Sequence, residues 1–258
     1  MGANHSKEER NIYLVTYNCQ IKYYSTFKCN RLLNYILNFE KSKFIFCMQG
    51  LYDIETIKYL DNNLDNSLTK IKSNNNNGLY VISNFDVTSI QHFIYSHDHS
   101  MKDLVDINRG FISFNVGING NLISIYNTEL QNDISNNLLF NEVRLKQISE
   151  ILLFITKRKI NETHLKLHII MGTLYLDEIK SNKLCDVISL FEENYISNLD
   201  ENKKDDYILF FSEIKYTSEE IIEYMKKNFG IYLENIFIRN DMNFSKYLPC
   251  ELVFKLIS

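Results

Sequence analysis

Short apolar runs of strand length recur along the whole chain, and only a few segments carry helical spacing. Ile12–Tyr17, Phe44–Met48, Leu79–Ser83, Ile90–Tyr95, Phe111–Val116, Leu122–Tyr126, Lys166–Met171, Tyr207–Phe211 and Leu252–Ile257 each read as a strand. Gly117-Ile118-Asn119-Gly120 separates two of them as a hairpin turn. Leu79–Ser83 and Ile90–Tyr95 read as paired strands. Leu32, Leu33, Ile36 and Leu37 fall on one side of a helix over Arg31–Phe39, and Leu138–Ile155 is a longer amphipathic helix. Thr217-Ser218-Glu219-Glu220 resembles a capping box that opens a third helix, with Gly230 as its stop. Hairpins mixed with helices favour two packed sheets flanked by helices.

The 258 residues fit one domain, with no linker or repeat to divide them. Residues 1–10 read as a polar leader and 11–258 as the folded unit. An apolar fraction of 45% is ordinary for a globular protein. The net charge of −4 gives no electrostatic footprint for nucleic acid. The five cysteines (Cys19, Cys29, Cys47, Cys185 and Cys250) make an odd count without C-x-x-C spacing. That pattern fits reduced thiols in a cytosolic compartment better than a disulfide frame or a zinc site. No run approaches the roughly 20 apolar residues of a membrane span.

The chain opens Met1-Gly2-Ala3-Asn4-His5-Ser6-Lys7, which fits the N-myristoylation pattern with Gly2 as the acceptor. The expectation is a peripheral protein anchored by lipid to the cytoplasmic face of a membrane. One myristoyl chain binds only marginally, so a second contact would be required. His97-Asp98-His99 is a weak seed for a metal site. His164 and His168 have i, i+4 spacing, but they straddle the start of a strand, which removes a helical metal-binding reading.

Five blocks stand in a fixed order: Thr16-Tyr17-Asn18, Met48-Gln49-Gly50, Asn127-Thr128-Glu129-Leu130-Gln131, Met171-Gly172-Thr173-Leu174-Tyr175 and Ser245-Lys246-Tyr247-Leu248-Pro249. They resemble the T-x-N, L-Q-E, N-T-H-L-Q, G-D-x-N and S-D-H-x-P motifs of the endonuclease/exonuclease/phosphatase superfamily. The neutral sphingomyelinase branch is the nearest in pattern. Phe46–Asp53 is similar to its C-L-Q-E-V-F-D, Asn77–Val87 to its Gly-rich strand segment, Asn108-Arg109-Gly110-Phe111 to N-K-G-F, Arg144-Leu145-Lys146-Gln147 to R-x-x-Q, and Asp206-Tyr207-Ile208 to D-Y-I. The likeness covers about residues 11 to 257. It implies an α/β fold of the α+β type, a four-layer sandwich of two mixed β-sheets packed face to face and flanked by helices.

The resemblance also implies an ancestral Mg²⁺-dependent phosphodiesterase and shows what this chain lacks for it. The metal-binding Glu falls at Gly50, with Asp53 at an outer position of the motif. A phosphate-flanking His falls at Glu129, where a carboxylate would repel the substrate. The Asp and Asn of G-D-x-N fall at Thr173 and Tyr175, and the Asp–His base pair falls at Lys246 and Tyr247. Of the residues that carry the chemistry, Asn18 alone stands unchanged. The expected protein is therefore a sphingomyelinase-like pseudoenzyme that binds a lipid headgroup or a protein in the old cleft. No cofactor is expected, or Mg²⁺ if activity remains. An active divergent phosphodiesterase is the alternative, and a nucleic-acid-binding nuclease relative is disfavoured by the charge. The replacements further predict an ion pair between Glu129 and Lys246. Arg144 and Gln147 share a helix face and read as a bridge from helix to sheet.

Overall fold

A computed structural model describes residues 11–97, 108–131, 138–161, 165–175, 195–197, 206–212, 226–227, 231–238 and 250–256. The first sheet holds six strands: β1 (Asn11–Ile21), β2 (Lys43–Leu51), β3 (Thr69–Lys72), β4 (Tyr80–Ser83), β11 (Ile231–Ile238) and β12 (Cys250–Leu256). The second holds β5 (Val87–Ile94), β6 (Gly110–Ile118), β7 (Asn121–Glu129), β8 (Leu165–Thr173), β9 (Tyr195–Ser197) and β10 (Asp206–Ser212). Their orders are β11-β12-β1-β2-β4-β3 and β5-β6-β7-β8-β10-β9. Each sheet is antiparallel except at its centre, where β1 runs parallel to β2 and β7 parallel to β8. Parallel neighbours need a crossover. Here α1 (Thr26–Leu37) joins the first pair and α3 (Leu138–Asn161) the second. The third helix, α2 (Ile54–Asn63), follows β2 directly.

Alternation along the central strands builds four layers. Ile12, Leu14, Ile45, Cys47 and Val81 of the first sheet meet Phe114, Val116, Ile125, Ile169 and Met171 of the second in one buried core. The intervening side chains Val15, Tyr17, Phe44 and Phe46 point to the other face, where Leu32, Tyr35 and Ile36 of α1 and Leu60 of α2 cover them. Phe111, Tyr126 and Ile170 are covered in the same way by Ile148, Ile151, Leu152 and Ile155 of α3. Strands buried on both faces read as continuous apolar runs instead of clean alternation. That is why Phe44–Met48 stands out in the sequence while the edge strand Thr69–Lys72, with one buried residue, does not.

One sequence expectation changes. Leu79–Ser83 and Ile90–Tyr95 do not pair with each other: β4 lies between β2 and β3, whereas β5 pairs with β6 in the other sheet. The short connection between them crosses the sandwich. Asn84 fixes the crossing, accepting from the Phe44 amide at 2.8 Å and donating to the Ser42 carbonyl at 2.6 Å. The turn between β6 and β7 is the expected hairpin, with positive φ at Asn119 and Gly120. Most of the helix expected after Thr217 lies outside the described residues, as does Gly230.

Candidate functional site

The carboxyl ends of both parallel pairs meet at one end of the sandwich, and the retained motif letters lie there in a buried tier. Gln49 at the end of β2 is fully buried. Its amide donates to Asn127 Oδ1 at 2.7 Å and to the Cys47 carbonyl at 3.1 Å. Its Oε1 accepts from Thr16 at 3.3 Å and from Thr173 at 3.4 Å. Asn127 in turn donates to the Met48 and Tyr80 carbonyls at 3.1 and 3.3 Å. One amide pair thus stitches the two sheets together, and Thr173 belongs to the stitch. Its hydroxyl sits where the resemblance expects a carboxylate. Asn127→Ala would take a partner from three buried polar groups (Gln49 Nε2 and the Met48 and Tyr80 carbonyls) and is expected to cost about 3 kcal/mol, read as a lowered urea midpoint with an unchanged slope.

Above this tier stands Glu129, only 4% exposed, at the end of β7. Tyr52 Oη donates to its Oε2 at 2.8 Å. Its Oε1 lies 3.4 Å from Tyr175 Oη, 3.5 Å from Asn18 Nδ2 and 3.7 Å from Arg109 Nη1. Arg109 also donates to the Leu130 carbonyl at 3.1 Å. Burial pushes the Tyr52 phenol well above its ordinary pKa, and the Glu129 carboxylate beside it pushes the same way, against Arg109. Tyr52 therefore stays protonated as a donor across the physiological range. The carboxylate is enclosed by donors from four segments of the chain.

The structure brings Asn18, Gly50, Glu129, Thr173 and Tyr175 together, as the motifs imply. Lys246 and Tyr247 lie outside the described residues, and so does the expected Glu129–Lys246 contact. Among the described residues, the cation that reaches Glu129 is Arg109. Its signal was the N-K-G-F-like block, to which sequence reading attached no role. Tyr52 was missed likewise, because an aromatic in an apolar block reads as core. The R-x-x-Q bridge is present: Arg144 Nη1 donates to the Gln131 carbonyl at 3.0 Å, and Gln147 Oε1 accepts from the Gln131 amide at 2.8 Å. These bonds fasten the chain leaving β7, and so Glu129, to α3.

Gly50 is more than a missing side chain. The β1–β2 register breaks between Asn18 and Ile21, a bulge opposite Gly50. Gly50 has φ +67°, and a Cβ there would stand 2.5 Å from Asn18 Oδ1 and 2.8 Å from the Gln20 amide nitrogen. The backbone has settled into a shape that a glutamate does not fit. Asp53 offers no substitute ligand. It caps α2, accepting from the Thr56 amide at 2.7 Å and its hydroxyl at 2.8 Å. Mg²⁺ prefers several carboxylate oxygens and water. Among the described residues of this site the only carboxylate is Glu129, already held by Tyr52, Tyr175 and Arg109. This donor set does not fit the ion.

The remaining candidates have structural partners. His97 contacts Glu150 of α3 at 2.8 Å, while Asp98 and His99 lie outside the described residues. His168 is buried in β8 beside Tyr126 Oη at 2.9 Å, and His164 also lies outside. Cys19, Cys29 and Cys47 are buried thiols, none of them in a disulfide. Burial raises the Cys47 thiol pKa far enough to keep it protonated. No helix among the described residues is long and apolar enough to cross a membrane.

No protein-family model and no curated protein sequence matches the chain. Solved structures do. Sphingomyelinase C from Streptomyces griseocarneus superposes with a TM-score of 0.65 at 12% identity, covering 95% of this chain and 99% of its own. A mutant beta toxin from Staphylococcus aureus with bound magnesium ions gives 0.65 at 13% identity over 93% of this chain and 98% of its own. An endonuclease/exonuclease/phosphatase from Bacteroides vulgatus gives 0.61 at 12% identity over 95% and 99%. The chain therefore has the endonuclease/exonuclease/phosphatase fold, and sphingomyelinases are among its structural neighbours.

Proposed function

We propose that this protein is a catalytically inactive, sphingomyelinase-like member of that fold, working as a binding or scaffold protein on the cytoplasmic face of a membrane. The observation that carries the reading is the pairing of a left-handed Gly50 with a donor-enclosed Glu129. Phosphodiester hydrolysis in this fold would call for a metal-held carboxylate and for positive charge facing the phosphate. Gly50 supplies no carboxylate, and Glu129 puts a carboxylate at the phosphate-flanking position, where its neighbouring cation, Arg109, is engaged in balancing it. Gly2 is the proposed site of the myristoyl anchor, and the old cleft is the proposed place for a lipid headgroup or a protein ligand.

Two measurements test the two halves of this reading. The purified chain should release no product from sphingomyelin or from a nucleic-acid phosphodiester above the no-protein blank, with or without Mg²⁺. Mg²⁺-dependent turnover that disappears in Asn18→Ala would replace the inactive reading with an active phosphodiesterase. Gly2→Ala should shift the protein from membranes to the soluble fraction in eukaryotic cells. Equal partition of both forms would remove the anchor.

A further inference from the structure

Four of the most exposed large apolar side chains come from two consecutive strand-to-helix turns. Tyr23 (82% exposed), Tyr24 (45%) and Phe27 (65%) lie between the end of β1 and the first turn of α1, and Ile54 (53%) opens α2 just after β2. The two turns are tied together. The Tyr52 amide donates to the Ile21 carbonyl at 3.1 Å, the Tyr24 and Tyr59 rings lie 6.4 Å apart, and the Tyr59 hydroxyl donates to Asn30. The patch thus sits at the end of the sandwich that carries Asn18 and Tyr52.

Its charge is as distinctive as its exposure. Residues 11–39 contain no Asp or Glu, although the chain as a whole has a net charge of −4. Lys22 and Lys28 flank the exposed aromatics, and the Arg31 guanidinium lies 5.6 Å from the centre of the Phe27 ring. On the neighbouring turn, Glu55 is matched by Lys58 at 2.8 Å. The central residues of a protein–protein contact are depleted in lysine. Tyrosine and phenylalanine interleaved with lysine and arginine suit a lipid–water boundary, where rings sit among headgroups and cations meet anionic phosphates.

We propose that Lys22, Tyr23, Tyr24, Phe27, Lys28 and Ile54 form a docking surface for an anionic lipid bilayer. This surface supplies the second contact that a single acyl chain requires, and it would turn the end of the sandwich that carries Asn18 and Tyr52 toward the membrane. It deepens the membrane half of the function proposed above but binds through folded side chains, independently of Gly2 and of any turnover.

The test uses the full-length Gly2→Ala chain, which cannot be acylated, and co-sedimentation with vesicles of phosphatidylcholine with or without phosphatidylserine. Binding is expected only with phosphatidylserine and should fall as salt is raised. Tyr23→Ser with Phe27→Ser should weaken it at least tenfold. Lys22→Glu with Lys28→Glu should abolish it. Thermal unfolding followed by circular dichroism should be unchanged in both variants, because the altered side chains are exposed or half-buried. Equal binding of the native and Tyr23→Ser/Phe27→Ser chains would overturn the proposal, as would binding indifferent to phosphatidylserine. Binding to neither vesicle would also overturn it and leave the patch to a protein partner. A loss of Gly2-dependent partition in cells, or a positive hydrolysis assay, would revise the function above without altering these vesicle results.

Discussion

Gly50→Glu, which restores the carboxylate of the L-Q-E pattern, is expected to damage the protein without reviving it. The backbone there has φ +67°, and the new Cβ would meet Asn18 Oδ1 at 2.5 Å and the Gln20 backbone at 2.8 Å. A non-glycine residue in the left-handed region costs about 1–2 kcal/mol by itself. Displacing buried Asn18 and the bulge adds to that, and a second carboxylate would stand near Glu129. We expect a loss of about 3 kcal/mol or more in urea unfolding and no Mg²⁺-dependent hydrolysis. A variant with native stability that cleaves sphingomyelin would show that the site lacks only one side chain, contrary to the geometry described.

Gly172→Ala should be more severe, although it leaves every candidate functional side chain in place. Gly172 has φ +156°, and its backbone lies against β7, where it is paired with Thr128. A Cβ would fall 1.8 Å from the Thr128 carbonyl oxygen, an atom of the ladder itself. The two strands would have to separate at the point where Glu129 and Thr173 are positioned. A loss of roughly 4–5 kcal/mol or more is expected, seen as insoluble protein or a vanished cooperative transition. Gly117→Ala is the control. It has no positive φ, and the nearest atom to its new Cβ would be a flexible Leu122 methyl at 4.0 Å, so its effect should stay within about 1 kcal/mol. If Gly172→Ala and Gly117→Ala unfold at the same urea concentration, the close approach of β7 and β8 is not what Gly172 serves.

The central strands were legible because burial on both faces makes them apolar throughout, and α3 because one side of it covers a sheet. Helix α2 escaped notice because Thr56 and Leu60 are its only buried residues, although Asp53 three places before Thr56 was a usable cap signal. Strand β3 escaped for a similar reason, with Ile71 its one buried position at a sheet edge. The misplaced β4–β5 pairing reflects a limit of local reasoning. A short connection looks like a hairpin until the side chain of Asn84 is seen to hold it across two sheets.

At the site, the motif letters gave the positions but not the consequences. Thr16, Gln49 and Asn127 match the family pattern, and they prove to be the stitch between the sheets. The altered letters Gly50 and Glu129 could be named from sequence. That Gly50 adopts a backbone shape hostile to reversion could not. Nor could the enclosure of Glu129, since its partners Tyr52, Arg109 and Tyr175 come from separate segments and only the folded chain brings them together.

Strand β1 also fixes a timetable. It is flanked by β2, which ends at Leu51, and by β12, which begins at Cys250. On a ribosome, 199 residues (250 less 51) must be added between completion of the first neighbour and the start of the second. At roughly 5–20 residues per second that is about 10–40 s. Throughout that interval one edge of an apolar central strand has no partner, the condition under which strand edges recruit other chains. Nascent chains of this protein should therefore depend on chaperones until synthesis reaches β12, and premature termination before Cys250 should yield aggregates in place of a smaller folded product.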